Sequence, residues 1–282
     1  MKRNILIFVT AIFIFSCSSK PKNSGDIIHI RAQTEKELAL ANKEAGQGNY
    51  VVAQGLLEEC KRKAILTDDW GLIIRCGLSL GNVLFSFGHD NEAFSEWEKA
   101  VQLAQKYGNM ELLSVSRIYR ARGMLISGNS SAQVVLDEVN REAANIKNDK
   151  LYIAFSWQVK ALAYRALGSW REAEDAVKKS LAIHESEKYL ENASYDWYTI
   201  ASIRSMSGDT QGALAALEEA IKFDRRIENS WALAANWRAM GDVHRKAGNV
   251  QAANEAYLRA KEIYTAMKNY SDAAEIDKRM GN

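Results

Sequence analysis

The chain has 282 residues, of which 47% are hydrophobic and 26% charged, and its 37 Lys and Arg nearly balance its 35 Asp and Glu. The apolar fraction is typical of a soluble protein, and no segment beyond the N-terminus is apolar enough to cross a bilayer. The balanced charge and the lack of a basic cluster argue against a nucleic-acid or anionic-lipid ligand.

The N-terminus has the pattern of an export signal. Two basic residues, Lys2 and Arg3, precede the apolar stretch 5–15. This stretch is too short to span a bilayer comfortably, which disfavours the alternative of an uncleaved signal anchor. We therefore expect a cleaved signal peptide at residues 1–16.

The signal ends in Ile14-Phe15-Ser16-Cys17, which resembles the lipoprotein box of bacterial lipoproteins. The resemblance implies diacylglyceryl transfer to the Cys17 thiol, cleavage before Cys17, and acylation of the new amine by a fatty acid such as palmitate. Two or three acyl chains anchor durably, since each buried methylene contributes about 0.8 kcal/mol. The resemblance predicts a lipidated cysteine with a flexible tether at 17–29, and a chain anchored in the bacterial cell envelope facing the periplasm. Ser18, where an aspartate would retain the protein in the inner membrane, favours the outer membrane.

A period of forty residues organises the rest of the chain. Six glycines recur at this spacing, each preceded by Gly or Ala seven residues earlier, and five of them are followed by Ala five residues later. The six glycines are Gly48, Gly88, Gly128, Gly168, Gly208 and Gly248. The third copy recovers its pattern one residue early, which predicts a turn shortened by one residue. Similarity at a fixed period is typical of a repeat protein.

Each copy predicts two helices that meet at the glycine. The segments on both sides have helical apolar periodicity, and the glycine allows the left-handed backbone that ends the first helix. Small residues seven apart share one helical face and let another backbone approach closely. A polar join about twenty residues later leads to the next hairpin. Because a lone hairpin cannot bury both faces, the hairpins must stack.

The repeat resembles the tetratricopeptide repeat over roughly residues 30–270. The early aromatic position of the family is occupied in three copies, by Trp157, Trp197 and Trp237. The turn and second helix match at Gly168-Ser169-Trp170 with Ala173. The period of forty exceeds the family's usual value of about thirty-four, so longer helices are expected. The family's proline at the end of the second helix is absent, because the only proline is Pro21.

Together these patterns predict an all-α fold, a right-handed superhelical solenoid of six antiparallel helix pairs at residues 30–270. Residues 271–282 begin like a further first helix without a partner, so we expect a C-terminal capping helix that shields the last hairpin.

Patterns of catalytic and metal chemistry are missing. His184 begins a segment that starts like a zinc-protease motif but lacks the second histidine four residues on. The sequence contains no glycine-rich phosphate loop, nucleophile elbow or cysteine-pair metal spacing. We therefore expect no enzyme activity, no catalytic residue, no cofactor and no metal.

In the resembled family the first helix of each pair lines a concave face that contacts the ligand. Its register predicts a mixed lining of amides that would hold a peptide backbone, arginines that would bind carboxylates, and aromatic anchors. The predicted partner-binding groove consists of Asn42, Arg75, Asn82, Phe85, Arg122, Gln158, Arg165, Tyr195, Tyr198, Arg238, Asp242 and Arg245. Each position taken alone also fits an ordinary solvated helix surface.

These expectations favour a membrane-anchored interaction scaffold or adaptor that binds a protein or peptide partner in its concave groove. Self-association into a homo-oligomer stays open. The alternative hypothesis is a binder of small hydrophobic or acidic ligands that works with a periplasmic solute transporter. Two cysteines remain after Cys17, Cys60 and Cys76, on neighbouring predicted helices, and both a disulfide and two buried thiols fit the sequence.

Overall fold

The computed structural model describes residues 24–281, which form helices with short joins and no strand. Consecutive helices pack against each other throughout this part of the chain. The helices are α1 (Ser24–Gly46), α2 (Tyr50–Leu66), α3 (Trp70–Ser86), α4 (Asp90–Lys106), α5 (Met110–Ile126), α6 (Ala132–Ala143), α7 (Lys150–Ala166), α8 (Trp170–Ser186), α9 (Leu190–Ser207), α10 (Thr210–Ile227), α11 (Ser230–Lys246), α12 (Val250–Ala266) and α13 (Tyr270–Met280). The expected all-α solenoid of six helical hairpins with a capping helix, α13, is confirmed.

The predicted signal peptide and Cys17 lie outside the described residues. Helix α1 begins at Ser24, within the segment 17–29 for which the sequence predicts a tether. Among the helices at 24–281, none combines the length and the apolar character needed to cross a bilayer.

The two joins of each repeat have nearly the same geometry. At the first join, Gly88 adopts φ +83°, and the N–H of His89 donates to the carbonyl of Leu84 at 2.9 Å, which closes the helix in the Schellman manner. The second join also turns through a left-handed residue, although it is glycine only once. These second-join residues are Asp68, Gly108, Lys188, Glu228 and Lys268. The structural unit is therefore a helix of 17 residues followed by a tight turn, repeated twice per forty residues.

The third hairpin departs from this unit, and the expectation of a shortened turn is wrong. Five residues, 127–131, separate α5 from α6, whereas three separate α3 from α4. Helix α6 starts late because Ser131 caps it, accepting a hydrogen bond from the N–H of Val134 at 3.4 Å. Helix α6 has only 12 residues. Measured from its glycine, α6 begins two residues later than α4 does.

Small residues on the first helices receive large side chains from the second helices. Trp97 of α4 is fully buried, and its indole N–H donates to the carbonyl of Leu78 at 3.3 Å. A Cβ atom at Gly81 would lie 2.4 Å from the Trp97 ring, and one at Gly123, in the next hairpin, 2.3 Å from it. Glycine at both positions lets one indole join two hairpins.

Cys60 of α2 and Cys76 of α3 are both fully buried and not disulfide-bonded. They belong to one apolar cluster between the first two hairpins. The hydrogen bond with Cys60, together with burial, raises the pKa of the Cys76 thiol. Of the two states left open by the sequence, the structure holds the pair of buried thiols.

The solenoid curves far enough for its first and sixth hairpins to touch. The side-chain amide of Asn229, just before α11, donates to the carbonyl of Gly46 at the end of α1, at 3.3 Å. A Cβ atom at Gly48 would lie 2.8 Å from the ring of Trp231. We call these two contacts the closure contact. It makes the concave face the wall of a cavity that stays partly open to solvent.

Candidate ligand cavity on the concave face

A cavity of about 560 Å³ lies inside the closed solenoid. Its wall comes from the first helices α1, α3, α7, α9 and α11, with a small contribution from α2. The larger polar and aromatic side chains of this wall are Asn42, Lys43, Tyr50, Asn82, Gln158, Glu191, Asn192, Tyr195, Tyr198, Asn229, Trp231, Asn236 and Arg238. The cavity is therefore rich in amides and in aromatic rings that carry a polar atom.

The structure brings half of the predicted groove residues together in this cavity. They are Asn42, Asn82, Gln158, Tyr195, Tyr198 and Arg238. The rings of Tyr195 and Tyr198 stack at 6.4 Å with an interplanar angle of 30°. Tyr198 also borders a smaller cavity of about 170 Å³, which Asp242 lines from α11. That these residues bind a partner stays a prediction.

The remaining predicted arginines lie outside the larger cavity, and three of them bond to side chains of neighbouring helices. Arg75 pairs with Glu35 at 3.2 Å. An Arg165 N–H donates to the hydroxyl of Ser202 at 3.2 Å, and one of Arg245 to the amide oxygen of Asn254 at 3.4 Å. Arg122 is half-buried on α5. The helical register alone did not reveal these local partners.

Phe85 and Asp242 likewise have structural contacts. Phe85 packs against Trp97, with ring centroids 5.5 Å apart. Asp242 accepts hydrogen bonds from the hydroxyl of Tyr257 at 2.7 Å and from Arg279 at 2.8 Å. Arg279 lies on α13, so Asp242 fastens the capping helix to the last hairpin.

A buried carboxylate behind the cavity orients one of its amides. Asp224 of α10 accepts a hydrogen bond from the side-chain N–H of Asn236 at 2.6 Å and one from the hydroxyl of Ser194 at 2.5 Å. Burial raises the pKa of Asp224, against the smaller opposing effect of these two hydrogen bonds. With its N–H group bound to the carboxylate, Asn236 turns its oxygen the other way.

A second buried network holds Gln158. Its amide N–H donates to Asp196 at 2.7 Å, and the other carboxylate oxygen of Asp196 lies 2.7 Å from Nδ1 of His184. Asp196 and His184 are at most 1% exposed, so this histidine has a structural role. His184 and Asp224 stand sixteen residues after their glycines, where the first two hairpins have Ala64 and Ala104. The change from alanine to a polar residue at this repeat position is the sequence signal of the two buried networks, and it was not among the predicted site residues.

Two amide oxygens at the cavity are buried without a hydrogen-bond partner among residues 24–281. They are the Oδ1 atoms of Asn82 and Asn236, and Asn236 is only 3% exposed. Burial raises the pKa of Tyr119 to about 12, and the charge of Arg122 and a hydrogen bond from the Asn82 side chain oppose this shift. Unpaired buried acceptors are costly, and both oxygens are covered by the surrounding protein although their residues line the cavity.

Three charged side chains line the cavity: Lys43, Glu191 and Arg238. Burial raises the pKa of Glu191, while the positive charge of Lys43 opposes the shift. Arg238 is half-buried and forms no hydrogen bond or ion pair with any described residue. Its guanidinium is therefore available to an acidic group.

No protein-family model matches the chain, and the comparison with curated proteins finds no match. Solved structures do match. A Rap protein complexed with competence and sporulation factor has a TM-score of 0.60 at 15% identity, over 92% of this chain and 79% of that one. BtubC from P. vanneervenii has a TM-score of 0.58 at 18% identity, over 83% of this chain and 92% of that one. A putative kinesin light chain with TPR-like repeats from Podosopora anserina has a TM-score of 0.53 at 19% identity, over 70% of this chain and 96% of that one.

The fold is of the tetratricopeptide-repeat type. At these identities the likeness concerns the path of the chain, and it agrees with the helical hairpins expected from the forty-residue period. In this tetratricopeptide-like solenoid the first helices line the cavity, as the resemblance implied.

Proposed function

We propose that the protein is a non-catalytic interaction scaffold, anchored by lipid at Cys17 on the periplasmic side of a bacterial envelope, which holds a protein or peptide partner at its concave face. The observation that carries the proposal is the cavity, where fixed amides, stacked tyrosines and an arginine with no partner among the described residues converge from five first helices. Aromatic and arginine side chains dominate the binding energy of many interfaces.

The cavity also favours the acidic form of the alternative, a small-ligand binder that serves a solute transporter. Its volume of about 560 Å³ falls within the range of small-molecule sites, roughly 300–1,000 Å³. The amide-rich wall is poorly suited to a hydrophobic ligand, because buried amides would lose their hydrogen bonds.

The scaffold proposal is tested by crosslinking and affinity purification of the full-length protein from native envelopes. The binding variant is Tyr198→Ala with Arg238→Glu. The matched control is Tyr270→Ala with Arg141→Glu, which changes the same residue types at exposed sites away from the cavity. We expect one partner to be enriched by the wild type and the control and lost from the binding variant. Equal capture by all three proteins would contradict a partner site at the cavity.

The anchor is tested by metabolic labelling with an alkyne analogue of palmitate. We expect the wild type to carry the label and to sediment with membranes. Cys17→Ser should lose the label and leave the membrane fraction, because the acylated thiol is gone. An unlabelled wild type would disprove lipidation while leaving the partner site untouched.

A further inference from the structure

The second joins of the first two hairpins carry a band of apolar side chains at the surface. Ile65 and Leu66 end α2 just before one join, and Met110 begins α5 just after the next, and all three are exposed. Between them the half-buried ring of Trp70 stacks on Tyr107, with ring centroids 3.8 Å apart and an interplanar angle of 18°. The band therefore continues from one join to the next, and we call these five residues the apolar edge.

The apolar edge has the composition of a boundary between water and lipid. The ammonium group of Lys106 lies 5.3 Å from the centre of the Tyr107 ring and 6.0 Å from that of Trp70. Tryptophan and tyrosine are enriched at membrane interfaces, because each combines an apolar ring with a polar atom. Lysine stems can lie along apolar surface while the charge stays in water. Contact with lipid through this surface needs no anionic headgroup.

The start of α1 lies on the same side of the solenoid as the apolar edge. At the join between α2 and α3, Nε of Arg31 is 3.1 Å from Oδ2 of Asp69. Helix α1 begins at Ser24, seven residues before Arg31. At a rise of about 1.5 Å per residue, α1 projects about 10 Å beyond this join.

The predicted anchor would keep this side near the membrane. Six residues, 18–23, separate Cys17 from Ser24. An extended chain covers at most about 3.6 Å per residue, so a lipid at Cys17 would hold the start of α1 within about 25 Å of the bilayer. The first joins also expose apolar side chains, such as Val51 and Val52. They lie a helix length farther from the anchor, about 25 Å for the 17 residues of α2.

The closure contact shows which second joins share this position. Asn229 lies at the second join of the fifth hairpin, but it bonds to Gly46 beside the first join of the first hairpin. The superhelix therefore advances by about one helix length per turn. The second joins of the last hairpins lie at the level of the first joins of the first hairpin, so only the early second joins face the anchor.

We infer that the apolar edge and the start of α1 rest on the surface of the phospholipid membrane that carries the anchor. The projection of α1 by about 10 Å matches the depth of about 5–10 Å to which interfacial helices sink, so α1 and the joins reach the same surface. A small contact suffices, because the anchor raises the effective concentration of the edge at the membrane. The inference rests on the anchor of the proposed function and adds an orientation, with the last hairpins farthest from the bilayer.

A photoreactive side chain tests which side of the solenoid meets lipid. The probe p-benzoylphenylalanine replaces Met110 or, as the matched control, the equally exposed Val250 at a first join. The full-length protein with its anchor is reconstituted in vesicles of phosphatidylethanolamine and phosphatidylglycerol and irradiated, and adducts are identified by mass spectrometry. We expect phospholipid adducts at position 110 and none above background at position 250. Equal adducts at both positions, or crosslinks from position 110 to a second copy of the chain alone, would overturn the inference.

Variants at the two ends of α2 identify the side chains that make the contact. Ile65→Ser with Leu66→Ser should lower the yield of lipid adducts at position 110 by up to about tenfold, because two apolar side chains no longer enter lipid. The matched control is Val51→Ser with Val52→Ser, at residues 72% and 53% exposed against 57% for Ile65 and 70% for Leu66. The control should leave the yield unchanged. Melting temperatures are compared first, and a folded Ile65→Ser, Leu66→Ser protein with an unchanged yield would contradict the assignment.

The palmitate label distinguishes failure of the docking from failure of the anchor. A labelled protein without lipid adducts at position 110 would keep its anchor and disprove the docking. An unlabelled protein would disprove the anchor, and the docking inference would be wrong with it. Capture of a partner through the cavity is independent of both results.

Discussion

At the scale of single residues, one carboxylate holds the irregular join between the third and fourth hairpins. An oxygen of Glu111 accepts the backbone N–H groups of Lys147 at 3.0 Å and of Asn148 at 2.9 Å, and the other accepts the Asn148 side chain at 3.0 Å. Desolvation opposes ionisation of Glu111, but these hydrogen bonds outweigh it and lower the pKa of its carboxyl group. The side chain thus replaces the backbone turn that orders the other joins.

We predict that Glu111→Gln lowers the free energy of unfolding by about 1–3 kcal/mol at pH 7, since the charge-assisted bonds are lost. Because the folded pKa is lowered, the stabilisation exists above the ordinary glutamate pKa of about 4.3 and disappears as the pH falls through the folded value. The difference between variant and wild type should therefore shrink towards pH 3. Urea unfolding at several pH values measures it. Glu172 is also in the first turn of a helix but lacks such acceptor contacts. Glu172→Gln should therefore leave the free energy of unfolding nearly unchanged, and an equal loss of stability in that variant would count against the role of Glu111.

At the scale of helices, close packing depends on where a side chain is missing. The Trp97 indole fills the space that Cβ atoms would occupy at Gly81 and Gly123. The same relation recurs in the sixth hairpin, where a Cβ atom at Gly241 would lie 2.5 Å from the Tyr257 ring. The small residue of the first helix and the large residue of the second are therefore one packing unit.

We predict that Gly81→Ala destabilises the protein by about 1–3 kcal/mol through overpacking, although alanine is the better helix former. Gly55→Ala is the matched control, because a Cβ atom at Gly55 on α2 meets nothing within 4 Å. There the propensity effect acts alone and should stabilise by about 0.5–1 kcal/mol. Thermal and urea unfolding should show a lower free energy of unfolding for Gly81→Ala and a higher one for Gly55→Ala than for the wild type. If both variants were stabilised, the packing argument would be wrong.

The second joins contain non-glycine residues in a conformation that favours glycine. Lys188 adopts φ +62°, whereas the equivalent join of the second hairpin has Gly108 at φ +67°. We predict that Lys188→Gly stabilises the protein by about 1 kcal/mol, because the left-handed backbone strains any residue with a Cβ atom. Lys188→Ala keeps the Cβ atom and should be nearly neutral. Urea unfolding measures the stability of both variants. If Lys188→Ala were stabilised as much as Lys188→Gly, removal of the lysine charge would explain the gain instead.

At the scale of the whole molecule, closure joins residues separated by more than four repeats. The amide of Asn229 and the ring of Trp231 contact the turn that contains Gly46 and Gly48. This contact places α1 and α11 on the same cavity. A solenoid that did not close would present these residues on an open surface.

We predict that Gly48→Ala opens the solenoid, because the new Cβ atom would lie 2.8 Å from Trp231. Gly88→Ala is the matched control: Gly88 also has a left-handed backbone, at φ +83° against +79°, but no atom within 4 Å of its Cβ position. Both variants should lose about 1–2 kcal/mol from backbone strain. Only Gly48→Ala should lose more than this and show a larger radius of gyration in small-angle X-ray scattering. Indistinguishable scattering profiles would mean that closure does not depend on this turn.

The sequence by itself determined the hairpins, because their signals are local. The glycine that ends a helix and the spacing of the apolar residues each involve only a few neighbouring residues, and both recur in the six repeats. The third hairpin shows the limit of this reasoning. There the shifted pattern suggested a shorter turn, whereas the capping by Ser131 allows a longer one between α5 and α6.

Only the tertiary structure decided which residues share a site. The helical register placed Arg238 and Arg245 on the same predicted groove, but superhelical curvature brings Arg238 into the cavity, while Arg245 bonds to Asn254. Curvature accumulates from small rotations between stacked hairpins, so it is a property of all the interfaces together. The orientation of the amide of Asn236 likewise depends on Asp224, on another helix, and no spacing along one helix records it.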